Sequence, residues 1–448
     1  MATVETPNER RGLLARLALD RPELRAWALY DWANSAMITV VVTAIYPIYF
    51  LKVAAADSSL QGSEPGRVHA LATAAALLVI ALIAPALGAV ADRTRAKKRF
   101  LTGFTLLGAF ATAGLAGVDR GEWGLAAVLF MLANIGASGS FVFYDSLLPH
   151  VARDGRELDR LSTSGYALGY LGGGLVLALC LATLQRPELF GLAQSGPTWP
   201  TRIGFLIVAV WWLAFTVPLL RRVPEPLAAA PPELQAGSAP PQGFHGLVRA
   251  LRELAGFRQA LLMLIAFLVY NDGIITIYRM GVVVGEEIGI PERAMIGAIL
   301  MVQFLGIPCT FAFGALGVRI GSKRAILVGL MVYMGTCILG ASMRTEAHFW
   351  LLAASLAFVQ GGTQALSRSL FASLVPKDRS AEFFGVFAVL DRFGAILGPL
   401  MFAGVSWALG GSRPAVLSLG LLFVVGALLL TRVDVAAGRA EARATTRP

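Results

Sequence analysis

The sequence predicts an all-α membrane protein of twelve transmembrane helices, arranged as two pseudo-symmetric six-helix bundles. Three observations carry that prediction. The chain of 448 residues is 56% hydrophobic and 15% charged, with a mean hydropathy of +0.68, whereas soluble domains carry about 25% charged residues. Twelve apolar runs reach the length of about 20 residues that a helix needs to cross a bilayer. Finally, blocks recur half a chain apart. Ser146-Leu147-Leu148-Pro149-His150 matches Ser373-Leu374-Val375-Pro376-Lys377 at a spacing of 227, and Gly88–Arg93 matches Gly314–Arg319 at 226. Tyr30-Asp31 and Tyr270-Asn271-Asp272 form a looser third pair.

Taken in order, residues 1–26 form an N-terminal segment in which Arg10–Arg25 reads as a basic amphipathic stretch on the membrane surface. The first bundle, 27–220, holds the runs Trp27–Leu51, Val68–Val90, Phe100–Val118, Trp123–Leu148, Ser162–Leu184 and Ile203–Leu220. A linker, 221–256, begins with six prolines between Pro224 and Pro241 and ends in an amphipathic pattern at Leu247, Val248, Leu251 and Leu254. The second bundle, 257–430, holds Phe257–Val284, Ala294–Leu316, Ala325–Met343, Phe349–Leu374, Phe383–Leu409 and Ala415–Leu430, and a tail, 431–448, follows. Placing the N-terminus inside puts 27 of the 38 lysines and arginines on the cytoplasmic side, so both termini are expected there, in a multi-pass protein of the plasma membrane.

The net charge of +10 therefore reports topology rather than nucleic-acid binding, because the basic residues lie in short loops between apolar runs. Cys180, Cys309 and Cys337 fall inside apolar runs and read as buried thiols. An ATP-driven pump is disfavoured by the lack of a G-x-x-x-x-G-K-[ST] loop, and an enzyme by the lack of H-E-x-x-H, G-x-S-x-G or any clustered histidines. No cofactor or metal is expected.

The polar residues inside the spans carry the functional signal, since such groups are costly in hydrocarbon unless they face protein or a wet cavity. Spans three, six, nine and twelve contain no acid, base or carboxamide and read as lipid-facing. Spans one, four, seven and ten contain Asp31 and Asn34, Asn134 and Asp145, Asn271, Asp272 and Arg279, then Gln360, Gln364 and Arg368. A period of three helices is what a cavity lined by the first helix of each three-helix unit produces. Gln360, Gln364 and Arg368 stand at i, i+4 and i+8 and share one face, either lining that cavity or bonding helices together. Asp272 lies about 15 residues into its span, near the midplane. It reads either as a proton-coupling site or as a permanently charged partner of an arginine. Asp31, one turn inside its helix, suits a gate as well as it suits substrate contact. In span eleven Asp391 and Arg392 point about 100° apart and cannot pair well, so Asp391 is expected to pair with Arg368 and close the cytoplasmic gate.

Gly88–Arg99 reads G-A-V-A-D-R-T-R-A-K-K-R. One reading is a plain positive-inside anchor. The other is an ionic latch of Gly88, Asp92 and Arg93, with Asp145 as a second acid for the arginines. The matching second-half loop has Val318 in place of the acid, so the latch should be one-sided. Gly165, Gly169 and Gly173, and Gly394 and Gly398, recur every four residues and should let helices approach closely.

Twelve spans and the Gly88–Arg99 loop resemble the major facilitator superfamily, whose loop signature is roughly G-x-x-x-D-R-x-G-R-[RK]. Gly88, Asp92 and Arg93 match it, and Arg95 stands at the glycine. Within that superfamily, W-A-L-Y-D-W-A-N-S-A at Trp27–Ala36, Y-N-D-G at Tyr270–Gly273 and G-G-T-Q-A-L-S-R-S-L at Gly361–Leu370 are similar to the vacuole-effluxer-like branch. The resemblance implies a monomeric secondary transporter working by alternating access between two halves. It further implies a small polar substrate, an amino acid leaving the compartment, and a coupling proton. An exporter of another metabolite or drug, or a transport-inactive membrane sensor, remains the alternative.

Overall fold

Hydrocarbon offers backbone amides no partner, so a chain this apolar must satisfy them within helices. The computed structural model describes residues 12–56, 64–191, 196, 198–226, 243–393 and 397–445, and they are helical nearly throughout. The first-half helices are α1 (Pro22–Ala54), α2 (Glu64–Thr94), α3 (Lys97–Gly114), α4 (Trp123–Val151), α5 (Gly155–Gln185) and α6 (Trp199–Arg222). The linker contributes α7 (Gly243–Leu254). The second half follows with α8 (Arg258–Ile288), α9 (Glu292–Ile320), α10 (Ser322–Ala341), α11 (Glu346–Leu374), α12 (Ser380–Phe393) and α13 (Leu397–Leu409). Then come α14 (Ser412–Thr431) and the tail helix α15 (Val435–Thr445).

Eleven of these helices are long and apolar enough to span a membrane, one fewer than the runs counted in the sequence. The difference lies in the run Phe383–Leu409, which appears as two shorter helices, α12 and α13, on either side of residues outside the description. The amphipathic pattern at the end of the linker forms α7. The N-terminal expectation is corrected. Among the described residues before α1, Leu13–Arg16 makes one helical turn, the chain reverses at Ala18 (φ 51°), and α1 has already begun at Pro22; Arg10 and Arg11 lie outside the described residues. Local signals set the other starts. Asp154 accepts from the Glu157 amide at 2.8 Å at the head of α5, and Thr345 caps α11.

The four spans without polar groups turn large apolar side chains outward, such as Phe110 on α3, Val210 on α6, Ile338 on α10 and Leu428 on α14, each at least 59% exposed. The polar spans turn Asp31, Asn34, Asn134, Asn271, Asp272 and Arg368 inward, all under 5% exposed. Cys180 and Cys337 are buried free thiols, and Cys309 is a partly buried one.

The helix α1 packs along α5 through the glycine series read in the sequence. Gly165, Gly169 and Gly173 face Asp31, Ser35 and Thr39 in turn, so each glycine admits one polar residue of α1. Beyond Ala36 the winding of α1 widens to i→i+5 bonding over Met37–Ile45 and again over Phe50–Ala54. Such π-helical segments recur at functional sites.

The two halves meet at one end of the molecule, here called the basic face because it carries the loops around Arg93–Arg99, Arg153–Arg160, Arg319–Arg324 and Lys377–Arg379. There α2 crosses α12 backbone to backbone. A Cβ on Gly88 would collide with the Ala381 carbonyl, and one on Gly385 would lie 2.8 Å from the Pro85 backbone. Beside that crossing α5 runs against α9 and α11.

Candidate functional site

Arg368 on α11 reaches out of the second half into a socket made by the first. By the rise of 1.5 Å per residue, its facing residue Asp31 lies about 14 Å from the start of α1, well inside the span. The guanidinium donates from Nη2 to Asp31 Oδ2 and from Nη1 to Asp145 Oδ1, both at 3.0 Å. Nε donates to Ser162 Oγ at 2.9 Å, and Nη2 also to the Ser162 carbonyl at 3.0 Å. Three aromatic faces complete the socket, with the guanidinium carbon 5.0 Å from the Trp27 ring, 5.6 Å from Tyr144 and 4.5 Å from Tyr166. Trp27 stacks on Tyr144 at 4.3 Å, and the Tyr144 hydroxyl donates to Asp31 Oδ2 at 2.9 Å. A charge this deeply buried persists because two opposite charges face it and four of its five N–H donors are matched.

A cavity of about 220 Å³ opens beside this socket, lined by Asp31, Ser35, Ile38, Thr39, Phe141, Tyr166, Gly169, Tyr170 and Gln303. Its α1 wall is the start of the widened winding, and Gln303 Nε2 meets Thr39 Oγ1 at 3.3 Å, joining the halves. A second relay runs from Gln364, one turn before Arg368. Its Nε2 donates to Asn271 Oδ1 at 2.5 Å, and Asn271 Nδ2 donates to Asp391 Oδ1 at 2.7 Å.

Closer to the basic face the contacts between halves are also polar. Asp92 pairs with Lys97 at 2.8 Å and accepts from the Ala381 and Glu382 amides at 3.2 and 2.9 Å, capping the start of α12. Lys97 Nζ adds Ser380 Oγ at 2.6 Å and His150 at 2.9 Å, and Ser380 donates to the Ser146 carbonyl at 2.9 Å. Asp159 on α5 accepts from Ser322 at 2.6 Å and from Ser369. Arg379 joins Glu253 of α7 and, at 2.7 Å, Glu382.

The structure thus brings together Asp31, Asp145 and Arg368, with Asn271, Gln364 and Asp391 one step away. Three expected pairings are corrected. Arg368 engages Asp31 and Asp145, while Asp391 accepts from Asn271; α11 aims position 368 at α1 and α4, across the divide between the halves. Asp145 accordingly belongs to the Arg368 socket and not to the loop arginines. In the loop itself Lys97, not Arg93, pairs with Asp92, because the turn at Arg95 (φ 53°) folds Lys97 back while Arg93 stays half-exposed. The Arg392 side chain lies outside the described residues.

The remaining candidates stand apart from the socket. Asn34 bonds Ser140 at 3.1 Å within the first half, and Asn134 Nδ2 and Gln360 Oε1 are buried without a partner among the described residues. Asp272 is fully buried against α13, where Oδ2 accepts from the Gly398 amide at 2.8 Å. Its Oδ1 has no partner among the described residues. Sequence reasoning missed Trp27, Tyr144, Tyr166 and Ser162, which read as ordinary apolar or small positions. Tyr144 beside Asp145, and Tyr166 and Tyr170 at i, i+4, were the available signals.

Asp92→Asn leaves Lys97 buried without its counter-charge. Removal of one partner from a buried pair costs about 3–5 kcal/mol. The expected results are a lower unfolding temperature in detergent and at least tenfold faster labelling of a cysteine placed at buried Ala365 on α11. Unchanged labelling would show that the cluster does not hold this face closed.

Comparison with known proteins bears on the whole chain. The profile of the family described as "Vacuole effluxer Atg22 like" matches residues 68–443. An MFS-type transporter of Bacillus subtilis, YxiO, described as uncharacterized, is 34% identical, with 91% of this chain and 94% of that protein covered. Autophagy-related protein 22-1 of Phaeosphaeria nodorum is 24% identical over 94% of this chain and 92% of its own. Among solved structures, the human organic anion transporter MFSD10 (TETRAN) superposes with a TM-score of 0.65 at 16% identity, covering 95% of this chain and 100% of that one. The major facilitator transporter FucP in its outward conformation gives 0.67 at 14%, covering 93% and 99%. These two similarities report the major facilitator fold. The profile match and the Bacillus relative together place the protein in a lineage of transporters, and it belongs to the vacuole effluxer Atg22-like family of the major facilitator superfamily.

Proposed function

We propose that this membrane transporter moves a small polar solute, with an amino acid as first candidate, out of the compartment it faces by proton-coupled alternating access. The observation that carries the reading is the bridge from Arg368 of one half to Asp31 and Asp145 of the other, beside a cavity inside the spans. An ion pair that spans two rocking bodies closes one side of the pathway while it holds, and its rupture opens that side. In this reading the basic face is cytoplasmic and closed in the structure, and the chain works as a monomer of two bundles, 27–220 and 257–430. A pathway that exposes an arginine and two aspartates in turn suits a zwitterion. The family description, "vacuole effluxer", supports export.

Asp272 is the residue assigned to the coupling proton. It is buried within the span, one oxygen accepts from a helix start, and the other has no partner among the described residues. Gaining or losing a proton there changes the charge that holds the start of α13. The test is counterflow in proteoliposomes with a panel of labelled amino acids, comparing wild type with Asp272→Asn. At least one amino acid is expected to exchange. Asp272→Asn is expected to keep that exchange within about threefold while losing accumulation driven by a pH gradient. Gradient-driven accumulation that survives the substitution would remove Asp272 from the coupling step. If no amino acid exchanges in folded protein, the substrate assignment is wrong.

A further inference from the structure

We propose that the socket now filled by Arg368 is a binding site for an organic cation, taken up when the basic face opens and the guanidinium withdraws. A solute carrying a guanidinium or primary ammonium group would then lie between Asp31 and Asp145. The inference deepens the transport reading by naming the class of solute, and it rests on that reading for the opening motion.

Among the described residues, every group that bonds or stacks on the guanidinium comes from the other half of the chain. Trp27 and Asp31 stand on α1, Tyr144 and Asp145 on α4, and Ser162 and Tyr166 on α5. The first half therefore holds a finished recognition site, and the second half supplies its occupant. Two carboxylates take the two ends of a planar fork, while three ring faces surround its carbon at 4.5–5.6 Å, the arrangement that attracts organic cations.

Access to the cavity from the basic face requires α11 and α12 to part from α5 and α2, and Arg368 travels with α11. Asp31 and Asp145 form no other ion pair among the described residues. The emptied socket then presents two carboxylates and no cation beside a cavity with which it shares Asp31 and Tyr166. Small inorganic cations could answer the charge, but ring faces reward a diffuse, weakly hydrated one. Arg368 is thus a tethered competitor. While it occupies the socket the apparent affinity for a free cation is lowered by the fraction of molecules that are closed.

The probe is labelled agmatine, which carries a guanidinium and an ammonium but no carboxylate, so that Arg368 has nothing on it to bind. Saturable binding to the full-length wild-type protein is expected. Arg368→Ala is expected to tighten it at least tenfold, whereas a direct substrate-binding role for Arg368 predicts weakening. Asp145→Asn should weaken it at least tenfold and Tyr166→Leu at least threefold. Tyr166→Leu, which leaves the ion pairs intact, serves if the charge variants do not fold. The proposal is overturned if Arg368→Ala weakens binding, if Tyr166→Leu leaves it unchanged, or if neither wild type nor Arg368→Ala binds agmatine. In that last case protons neutralise the emptied carboxylates.

Counterflow of labelled leucine in vesicles from the same preparation separates the two claims. Leucine exchange that agmatine neither drives nor inhibits overturns the cation site and leaves the transport reading standing. Agmatine binding in protein that exchanges no solute does the reverse.

Discussion

Arg368→Ala is expected to abolish solute exchange, with counterflow falling at least a hundredfold while the protein still reaches the membrane. The argument is electrostatic. Arg368 is 3% exposed, and its guanidinium satisfies two carboxylates, a hydroxyl and a carbonyl from the opposite half. Removing one member of a buried ion cluster leaves the other charges desolvated and unpaired, at a cost of about 3–5 kcal/mol. For the closed state the only escape is to open and let water reach Asp31 and Asp145, so the substitution biases the molecule toward the open form. A carrier trapped on one side cannot cycle, although its exposed site still binds. Arg368→Lys separates charge from shape. A point-like ammonium cannot bridge both carboxylates as a planar fork does, so an intermediate loss of about tenfold is expected. Exchange above a tenth of the wild-type rate in Arg368→Ala would mean that the bridge is dispensable to the cycle.

Gly88→Val is the second large effect, and its cause is steric. The α2–α12 crossing leaves no room for even one carbon on Gly88, because the obstructing atoms are the Ala381 carbonyl and the next peptide nitrogen rather than a side chain that could turn away. Overpacking a tight contact costs about 1–3 kcal/mol where neighbours can shift. Here they are backbone atoms of α12, whose start is also held by Asp92. The expected outcome is a protein that folds, fails to close the basic face and exchanges solute at least thirtyfold more slowly. A cysteine at Ala365 would be labelled at least tenfold faster. Gly88→Ala should show the same signs more weakly. Normal labelling and exchange in Gly88→Val would show that the crossing can slide.

Much of this was legible in the sequence because bilayer physics is restrictive. Length and apolarity marked the spans, and the absence of polar groups from spans three, six, nine and twelve marked the helices whose side chains face outward. Asp31, Asp145 and Arg368 were legible as buried charges, since hydrocarbon tolerates none without a reason. Their pairing was not. Helical spacing places residues on one face of their own helix, but which face turns toward which neighbour is decided by packing between helices, and Asp391 was as reachable on paper as Asp31. The aromatic walls were hidden for a related reason. In a chain where 56% of residues are hydrophobic, Trp27 and Tyr166 carry no contrast until a guanidinium lies against them. The same holds for Lys97, whose return to Asp92 depends on one left-handed turn at Arg95.

The bonds that join the closed halves at their seam are made by groups that water can serve equally well: carboxylates, serines, a lysine, and amides at the start of a helix. When such a seam parts, each lost bond is exchanged for one to solvent, so the net gain from each bond in closing is only about 0.5–1.5 kcal/mol. A seam of interlocked leucines would expose fresh apolar area and resist parting in proportion to it. Polar composition thus makes separation reversible, keeping the open and shut forms near enough in free energy that a modest difference in a ligand's affinity for them can redistribute the population.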